Sequence, residues 1–191
     1  MKEGTGTRAE GTVFLEKPLI TRLLQRDGEH YVSKDIIDRA MAKATANRYL
    51  KHDMIFLPMN IKEKHRYLAV IHAKRRIIQV LDSMANSSTQ RKELRKVLEG
   101  LQQYFQLLEP EEKHIATQWP DHHITSWEVT VIQNLPLQGD LVSCGLFVLK
   151  NMEHWQGNRL SKEYTHEDIK YFRRKLAAIL GGAQKKDKKI N

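Results

Sequence analysis

The sequence predicts one domain of mixed helices and strands, and three observations carry that reading. Two β-rich runs, 65–73 and 77–83, flank the short basic turn Lys74-Arg75-Arg76 and read as an antiparallel hairpin. Apolar residues recur at spacings of three and four from Leu94 to Leu108, the pattern of a long amphipathic helix. A second apolar helical run starts directly after Cys144, the only cysteine among 191 residues. A chain of this length can bury a substantial core within a single domain.

Composition narrows the class. With 40% hydrophobic and 29% charged residues the chain reads as a soluble globular protein. A lone cysteine cannot form an internal disulfide, which suits a reducing compartment, the nucleus or the cytoplasm. The N-terminal Met1-Lys2-Glu3-Gly4-Thr5-Gly6-Thr7-Arg8 has no apolar core, and no apolar run approaches the roughly 18 residues a membrane span needs. Neither secretion nor membrane insertion is expected. The balance of 32 basic to 23 acidic residues, a net +9, favours acidic partners, either nucleic acid or an acidic protein surface. Part of the excess lies in the tail Gln184-Lys185-Lys186-Asp187-Lys188-Lys189, and no basic stripe interleaved with aromatics occurs elsewhere, so nucleic acid is the weaker expectation.

In chain order, residues 1–12 are Gly/Thr-rich and polar and read as a disordered lead-in. Within 14–24 a short helix is expected after Pro18, whose fixed φ suits a first helical turn. A further helix is expected from Ser33 as its cap, with Ile36, Ile37, Ala40, Met41 and Ala44 turned to the core. The compact apolar run 54–61 has strand length, with Pro58 interrupting its ladder near one end. After the hairpin, Ser87-Ser88-Thr89-Gln90 reads as a capping box for the long helix, which Pro110 closes.

Trp119-Pro120-Asp121-His122-His123 reads as a loop whose adjacent histidines lack other well-spaced ligands, so no metal site is implied. Residues 127–133 alternate like a half-buried strand, with Trp127, Val129 and Val131 on one face. The helix from Cys144 or Gly145 runs to about Trp155. A last helix opens at Thr165-His166-Glu167-Asp168, presents Ile169, Phe172, Leu176 and Ile179, and ends at Gly181-Gly182. The expected organisation is a lead-in at 1–12, a single domain at 13–181 and a basic tail at 182–191.

The residues that bear chemistry converge on Cys144. At a helix start, unpaired backbone N–H groups and the positive end of the helix dipole favour the thiolate. Taken alone, the thiol reads first as a small buried hydrophobe, and only its partners turn the reading toward catalysis. His65 begins the first hairpin strand and Asp82 ends the second, so antiparallel pairing brings these ends together, as a base and its orienter require. The competing reading of Asp82-Ser83 is a simple turn or helix cap. Gln138 lies six residues before Cys144 on the approach loop, where its amide could donate to a developing oxyanion beside the Cys144 N–H, or could simply be an exposed loop side chain.

Together these motifs carry a resemblance. His65-Arg66-Tyr67-Leu68-Ala69-Val70-Ile71, then Val80-Leu81-Asp82-Ser83, then Gln138 with Ser143-Cys144-Gly145-Leu146-Phe147-Val148-Leu149, is similar to the Ulp/sentrin-specific family of ubiquitin-like-protein proteases. That family's pattern is a His-Trp-Tyr/Ser-Leu strand, an Asp-Ser after the next strand, and a Gln six residues before an Asp-Cys-Gly. The match covers roughly residues 20–180 and, as an ordered set at compatible spacings, is far more specific than any one motif.

The resemblance implies an α+β, papain-like cysteine protease fold with a central, mostly antiparallel sheet flanked by helices. It implies His65 as general base and acid, Asp82 as its orienter, Cys144 as nucleophile and Gln138 as oxyanion donor. It implies release of a SUMO-like or other ubiquitin-like modifier after its C-terminal glycine, by a monomer that needs no cofactor or metal. The family's two tail-enclosing tryptophans align here with Tyr31 and Arg66, and Lys34 replaces an acidic residue beside the first of them. Ser143 stands where an Asp usually precedes the cysteine, and Leu141 where a glycine is usual. A weakly active binding module of the same fold and a basic nucleic-acid-associated protein, of the kind a mobile element encodes, are the alternative readings.

Overall fold

The computed structural model of the chain describes residues 6–32, 35–84 and 88–187. Its elements are β1 (Gly6–Arg8), β2 (Gly11–Leu15), α1 (Pro18–Asp27), α2 (Ile36–Tyr49), β3 (Met54–Ile61), β4 (His65–His72), β5 (Ile77–Leu81), α3 (Lys92–Gln106), α4 (Pro110–Ile115), β6 (Glu128–Val131), α5 (Cys144–His154) and α6 (His166–Asp187). The strands form one mixed sheet in sequence order, β1-β2-β3-β4-β5-β6. Pairing is antiparallel at β1–β2, β3–β4 and β4–β5 and parallel at β2–β3 and β5–β6.

Alternation along β3 and β4 builds two cores. Ile55, Leu57 and Met59 with Tyr67, Ala69 and Ile71 face the cluster that holds Leu24 of α1, Tyr49 of α2, and Leu94, Val97, Leu98, Leu101 and Phe105 of α3. Met54, Phe56, Leu68 and Val70 face the other way, against Val148 of α5 and Trp155 just beyond it. The sheet is therefore covered on both faces, by α1–α3 on one and α5 on the other, which gives the α+β class expected from the resemblance.

Pro58 breaks no bond in the β3–β4 ladder. Its carbonyl accepts from the Thr21 hydroxyl of α1 at 2.8 Å, so the backbone edge lacking an N–H faces α1, beyond the point where β2 stops pairing at Phe56. The hairpin stands as expected, with Ile71 opposite Ile78 and Leu68 opposite Leu81.

Several expectations need correction. Residues 6–12 fall inside the segment expected to be disordered, yet they supply β1 and open β2. Arg8 ties this arm down by donating to the carbonyls of Glu153 and Met152, at 2.6 and 2.8 Å. The stretch 14–24 divides, with Phe14 and Leu15 in β2 and the helix starting at Pro18.

In α2 the expected apolar face points outward, with Ile36, Ile37 and Met41 exposed, while Ala42, Ala46 and Tyr49 are buried. The helix is rotated by its largest side chain: Tyr49 packs edge-on to Phe14 and against Tyr104 and Phe105, and its hydroxyl bonds Glu16. Asp35 caps this helix by accepting from the amides of Ile37 and Asp38, and Ser33, the expected cap, lies outside the described residues.

The capping box expected at 87–90 does not open α3, whose N-cap is Arg91 with no side-chain cap bond; Ser87 lies outside the described residues. Pro110 follows the end of α3 and also opens α4, whose capping box joins Glu109 and Glu112. α6 begins as expected, with Thr165 and Asp168 exchanging bonds, but passes through Gly181-Gly182 to Asp187. Ile179 is exposed rather than part of a buried face.

Candidate active site

Asp82 follows the last paired residue of β5, and His65 opens β4, so the hairpin register sets them at one end of the sheet. The His65 Nε2–Asp82 Oδ1 distance is 2.8 Å. Asp82 Oδ1 also accepts from the Met84 amide at 3.0 Å, so the same oxygen both caps the turn and bonds the imidazole. With Nε2 on the carboxylate, His65 Nδ1 is left buried and without a hydrogen-bond partner among the described residues.

A second contact anchors Asp82 from behind. Arg91 Nη2 donates to Asp82 Oδ2 at 2.9 Å, with the two side chains only 3% and 1% exposed. The guanidinium also lies over the Tyr67 ring, 4.5 Å from its centroid. Burial pushes the Asp82 carboxyl up, but the His65 bond, the Met84 amide and the positive charges of His65 and Arg91 together hold it below the usual carboxylate range.

Cys144 enters from the other side of the sheet. It is buried and forms the first residue of α5, which packs through Val148 on Leu68, Val70 and Leu81 of the hairpin. Arg66, directly after His65, and Gly145, directly after Cys144, meet: a Cβ on Gly145 would stand 3.6 Å from Arg66 Cδ. The sequence neighbours of His65 and Cys144 are thus in contact at the start of α5.

The loop before Cys144 is held by Asp140. Its Oδ1 accepts from the amides of Val142 and Ser143 at 2.9 and 2.7 Å, and its Oδ2 accepts from the Ser143 hydroxyl at 2.6 Å. The Ser143 hydroxyl, the two amides and the nearby Arg173 charge outweigh desolvation and keep the Asp140 carboxyl low. Arg173 of α6 also donates to Ser143 Oγ and lies 3.6 Å from Asp140 Oδ2.

Gln138 is tied to the same cluster from its two ends. Its backbone N–H donates to the Ser83 carbonyl, its Oε1 accepts from Ser83 Oγ at 2.9 Å, and its Nε2 donates to the Asp140 carbonyl at 2.7 Å. The side-chain NH2 is thereby turned toward the loop that precedes Cys144, with one of its two hydrogens engaged.

Of the two residues aligned with the tail-enclosing tryptophans, the structure brings Arg66 to the start of α5, and places Tyr31 elsewhere. The Tyr31 ring packs 6.2 Å from that of Tyr104. Tyr104 lies near the far end of α3, about 20 Å of helix from Arg91 at 1.5 Å per residue. Lys34 lies outside the described residues. His122, one of the adjacent loop histidines, stacks on Trp119 in the core, and no cluster of three metal-binding side chains occurs among the described residues.

Sequence reasoning missed Arg91 and Arg173, and read Gly139-Asp140 as the turn leading to Cys144 without its side-chain bonds to Val142 and Ser143. The Asp140-x-x-Ser143 spacing is a side-chain turn signal that could have marked the first loop anchor. Arg91 has no such signal, since it sits in the polar run Thr89-Gln90-Arg91-Lys92 and reads as solvated.

The family model described as the Ulp1 protease family, C-terminal catalytic domain, matches residues 5–181. Among curated proteins, ubiquitin-like-specific protease 1A of Arabidopsis thaliana is 30% identical over 125 residues, 65% of this chain and 22% of its own length. Putative ubiquitin-like-specific protease 1B of the same plant is 25% identical over 146 residues, 73% of this chain and 39% of its own. This chain therefore spans about a fifth to two fifths of the length of these relatives.

Among solved structures, the catalytic domain of the Chaetomium thermophilum Ulp1-like SUMO protease superposes with a TM-score of 0.59 at 24% identity, over 88% of this chain and 60% of the other. The C-terminal Ulp1 protease domain in complex with Smt3, the yeast ortholog of SUMO, gives 0.55 at 20% identity, over 88% and 65%. At these identities the superpositions establish the fold.

Proposed function

The chain belongs to the Ulp1 protease family, and on that premise we propose that it is a cysteine peptidase cleaving after the C-terminal glycine of a SUMO-like or other ubiquitin-like modifier. The observation that carries this reading is the His65–Asp82 bond, with the buried, unpartnered Nδ1 of His65 at the sheet end where α5 begins with Cys144. That Nδ1 is the nitrogen that takes the thiol proton, while Asp82 fixes the ring and stabilises the imidazolium.

The Cys144 thiolate attacks the glycine carbonyl carbon, and charge develops on the carbonyl oxygen. The Cys144 N–H and the free hydrogen of the Gln138 amide donate to that oxygen. The imidazolium gives its proton to the leaving amine as the C–N bond breaks, which leaves a thioester. His65 then takes a proton from water, the hydroxide attacks the thioester carbonyl, and thiolate is expelled with the modifier's carboxylate. No metal or cofactor takes part.

Arg66 beside Gly145 is the residue we assign to the substrate's tail, with its stem packed along the tail and its head in solvent. Tyr31 keeps a substrate role only through a broader modifier surface. The free thiol suits the reducing nucleus or cytoplasm, and the chain acts as a monomer. The relatives' names support a ubiquitin-like substrate, since the solved Ulp1 domain is held by Smt3. Incubation with a panel of modifier precursors tests this: cleavage after the terminal glycine, lost in Cys144→Ala, is expected, and an intact panel overturns it.

A further inference from the structure

We propose that Arg91 is a positioning residue that holds the buried Asp82 carboxylate aimed at His65, so that proton transfer from Cys144 to His65 depends on a guanidinium bonded to the far oxygen of Asp82. This inference rests on the proposed roles of His65, Asp82 and Cys144.

The geometry gives each Asp82 oxygen its own work. Oδ1 takes the bond to His65 Nε2 at 2.8 Å and the Met84 amide at 3.0 Å, which leaves Oδ2, on a side chain 1% exposed, with Arg91 Nη2 at 2.9 Å. A carboxylate so buried is costly unless its charge is met. Arg91 meets it with a group that cannot lose its proton at any working pH.

Arg91 is itself fixed on three sides. Its Nε donates to the Ser88 carbonyl at 3.0 Å, its plane lies over the Tyr67 ring, and its backbone is the N-cap of α3. Tyr67 in turn donates its hydroxyl to Glu93 at 3.1 Å and stacks near the His65 ring, with 6.3 Å between centroids. Among the described residues, the ionisable groups bonded to Asp82 are thus His65 and Arg91, with Tyr67 and Glu93 behind Arg91. The phenol is pushed well up by burial and stays protonated, so Arg91 is the permanent cation of the set.

Removing Arg91 leaves Oδ2 buried with one partner fewer, and the carboxyl answers by taking a proton at higher pH. A neutral Asp82 no longer stabilises the imidazolium, and the thiol proton has no favourable destination. The acid side of the pH profile therefore moves up. A structural cap for α3 alone predicts lower stability and an unmoved profile.

The single cysteine makes the test clean, because iodoacetamide on the full chain reads Cys144 alone. Second-order labelling rates are measured from pH 4 to 10 for the wild type, Arg91→Met, Arg91→Lys, His65→Ala and Asp82→Asn. The acid limb of Arg91→Met is expected about one pH unit higher, roughly a tenfold loss of rate on that limb. All variants are expected to converge at alkaline pH, where thiols ionise unaided; because an unfolded chain would converge there too, the fold of each variant is verified separately by a cooperative denaturant transition matching that of the wild type. Arg91→Lys is expected to restore most of the limb and carries the test if Arg91→Met does not fold. Adding Arg91→Met to Asp82→Asn is expected to cost nothing further.

An Arg91→Met limb that coincides with the wild type or moves to lower pH overturns the proposal. So does a full additional loss in the double variant. If instead the wild type labels no faster than His65→Ala at neutral pH, the assignment of the base itself has failed, a different outcome.

Discussion

Ser83 Oγ donates to Gln138 Oε1 at 2.9 Å, which links the residue after Asp82 to the proposed oxyanion donor. The Asp140 carbonyl, which only accepts, fixes the other end of the amide as nitrogen, and the two bonds together turn the NH2 toward the loop that delivers Cys144. Gln138→Ala is expected to lower the rate of the chemical step roughly 10²- to 10³-fold, as the loss of one oxyanion donor does. Ser83→Ala keeps the donor but frees it to turn, and a smaller loss, about tenfold, is expected. Single-turnover rates on a cleaved modifier precursor compare the two, and a Ser83→Ala rate equal to that of the wild type contradicts the orienting role.

Asp140 gathers the Val142 and Ser143 amides and the Ser143 hydroxyl into one turn before Cys144. Asp140→Ala is expected to lower kcat about tenfold, while the melting temperature falls by only a few degrees, because the loop is exposed at Leu141 and Val142. Retention of full kcat counts against the turn as a support for the nucleophile.

Stability is expected to fall as the pH drops below about 6.5. Burial lowers the protonation pH of His72, with Glu10 only partly opposing, and burial likewise lowers His122 and His154. The unfolded chain therefore binds protons that the fold resists. The linked stability is present above the ordinary histidine pKa and is lost as pH falls from there to the lower folded values. Denaturant midpoints between pH 7.5 and 5 read this slope. His72→Gln is expected to flatten part of it, and a midpoint that rises on acidification contradicts the assignment.

Gly100 lies inside α3, where alanine is ordinarily the better helix former. A Cβ there would stand 2.7 Å from the Gly28 carbonyl oxygen, a backbone atom that cannot swing aside. Gly100→Ala is therefore expected to lower the melting temperature by several degrees, at a cost of about 1–3 kcal/mol. A raised melting temperature contradicts the close α1–α3 packing.

Much of this arrangement is legible in the sequence because it is written in local patterns. The β4–β5 hairpin follows from two alternating runs and a basic turn, and that register alone places His65 beside Asp82. The apolar run after Cys144 and the Thr165–Asp168 cap likewise speak for themselves. What escapes local reading is what distant residues decide. The face of α2 is chosen by Tyr49, whose ring partners Phe14, Tyr104 and Phe105 come from two other elements.

β1 is only three residues long and has meaning only as the antiparallel neighbour of β2. Gly181-Gly182 costs α6 about 1 kcal/mol per glycine, which good helix formers on both sides offset, so a stop signal is overridden. Arg91 carries no pattern at all, since a buried arginine is recognised only once its carboxylate is found.

The central claim is that Cys144 is the nucleophile of a ubiquitin-like-modifier peptidase, and labelling by modifiers that carry a C-terminal electrophile tests it most directly. Across a panel of such probes the wild type is expected to form a covalent adduct with at least one, His65→Ala to form it much more slowly, and Cys144→Ala not at all. Absence of any adduct with the wild type, or an equal yield with Cys144→Ala, contradicts the account.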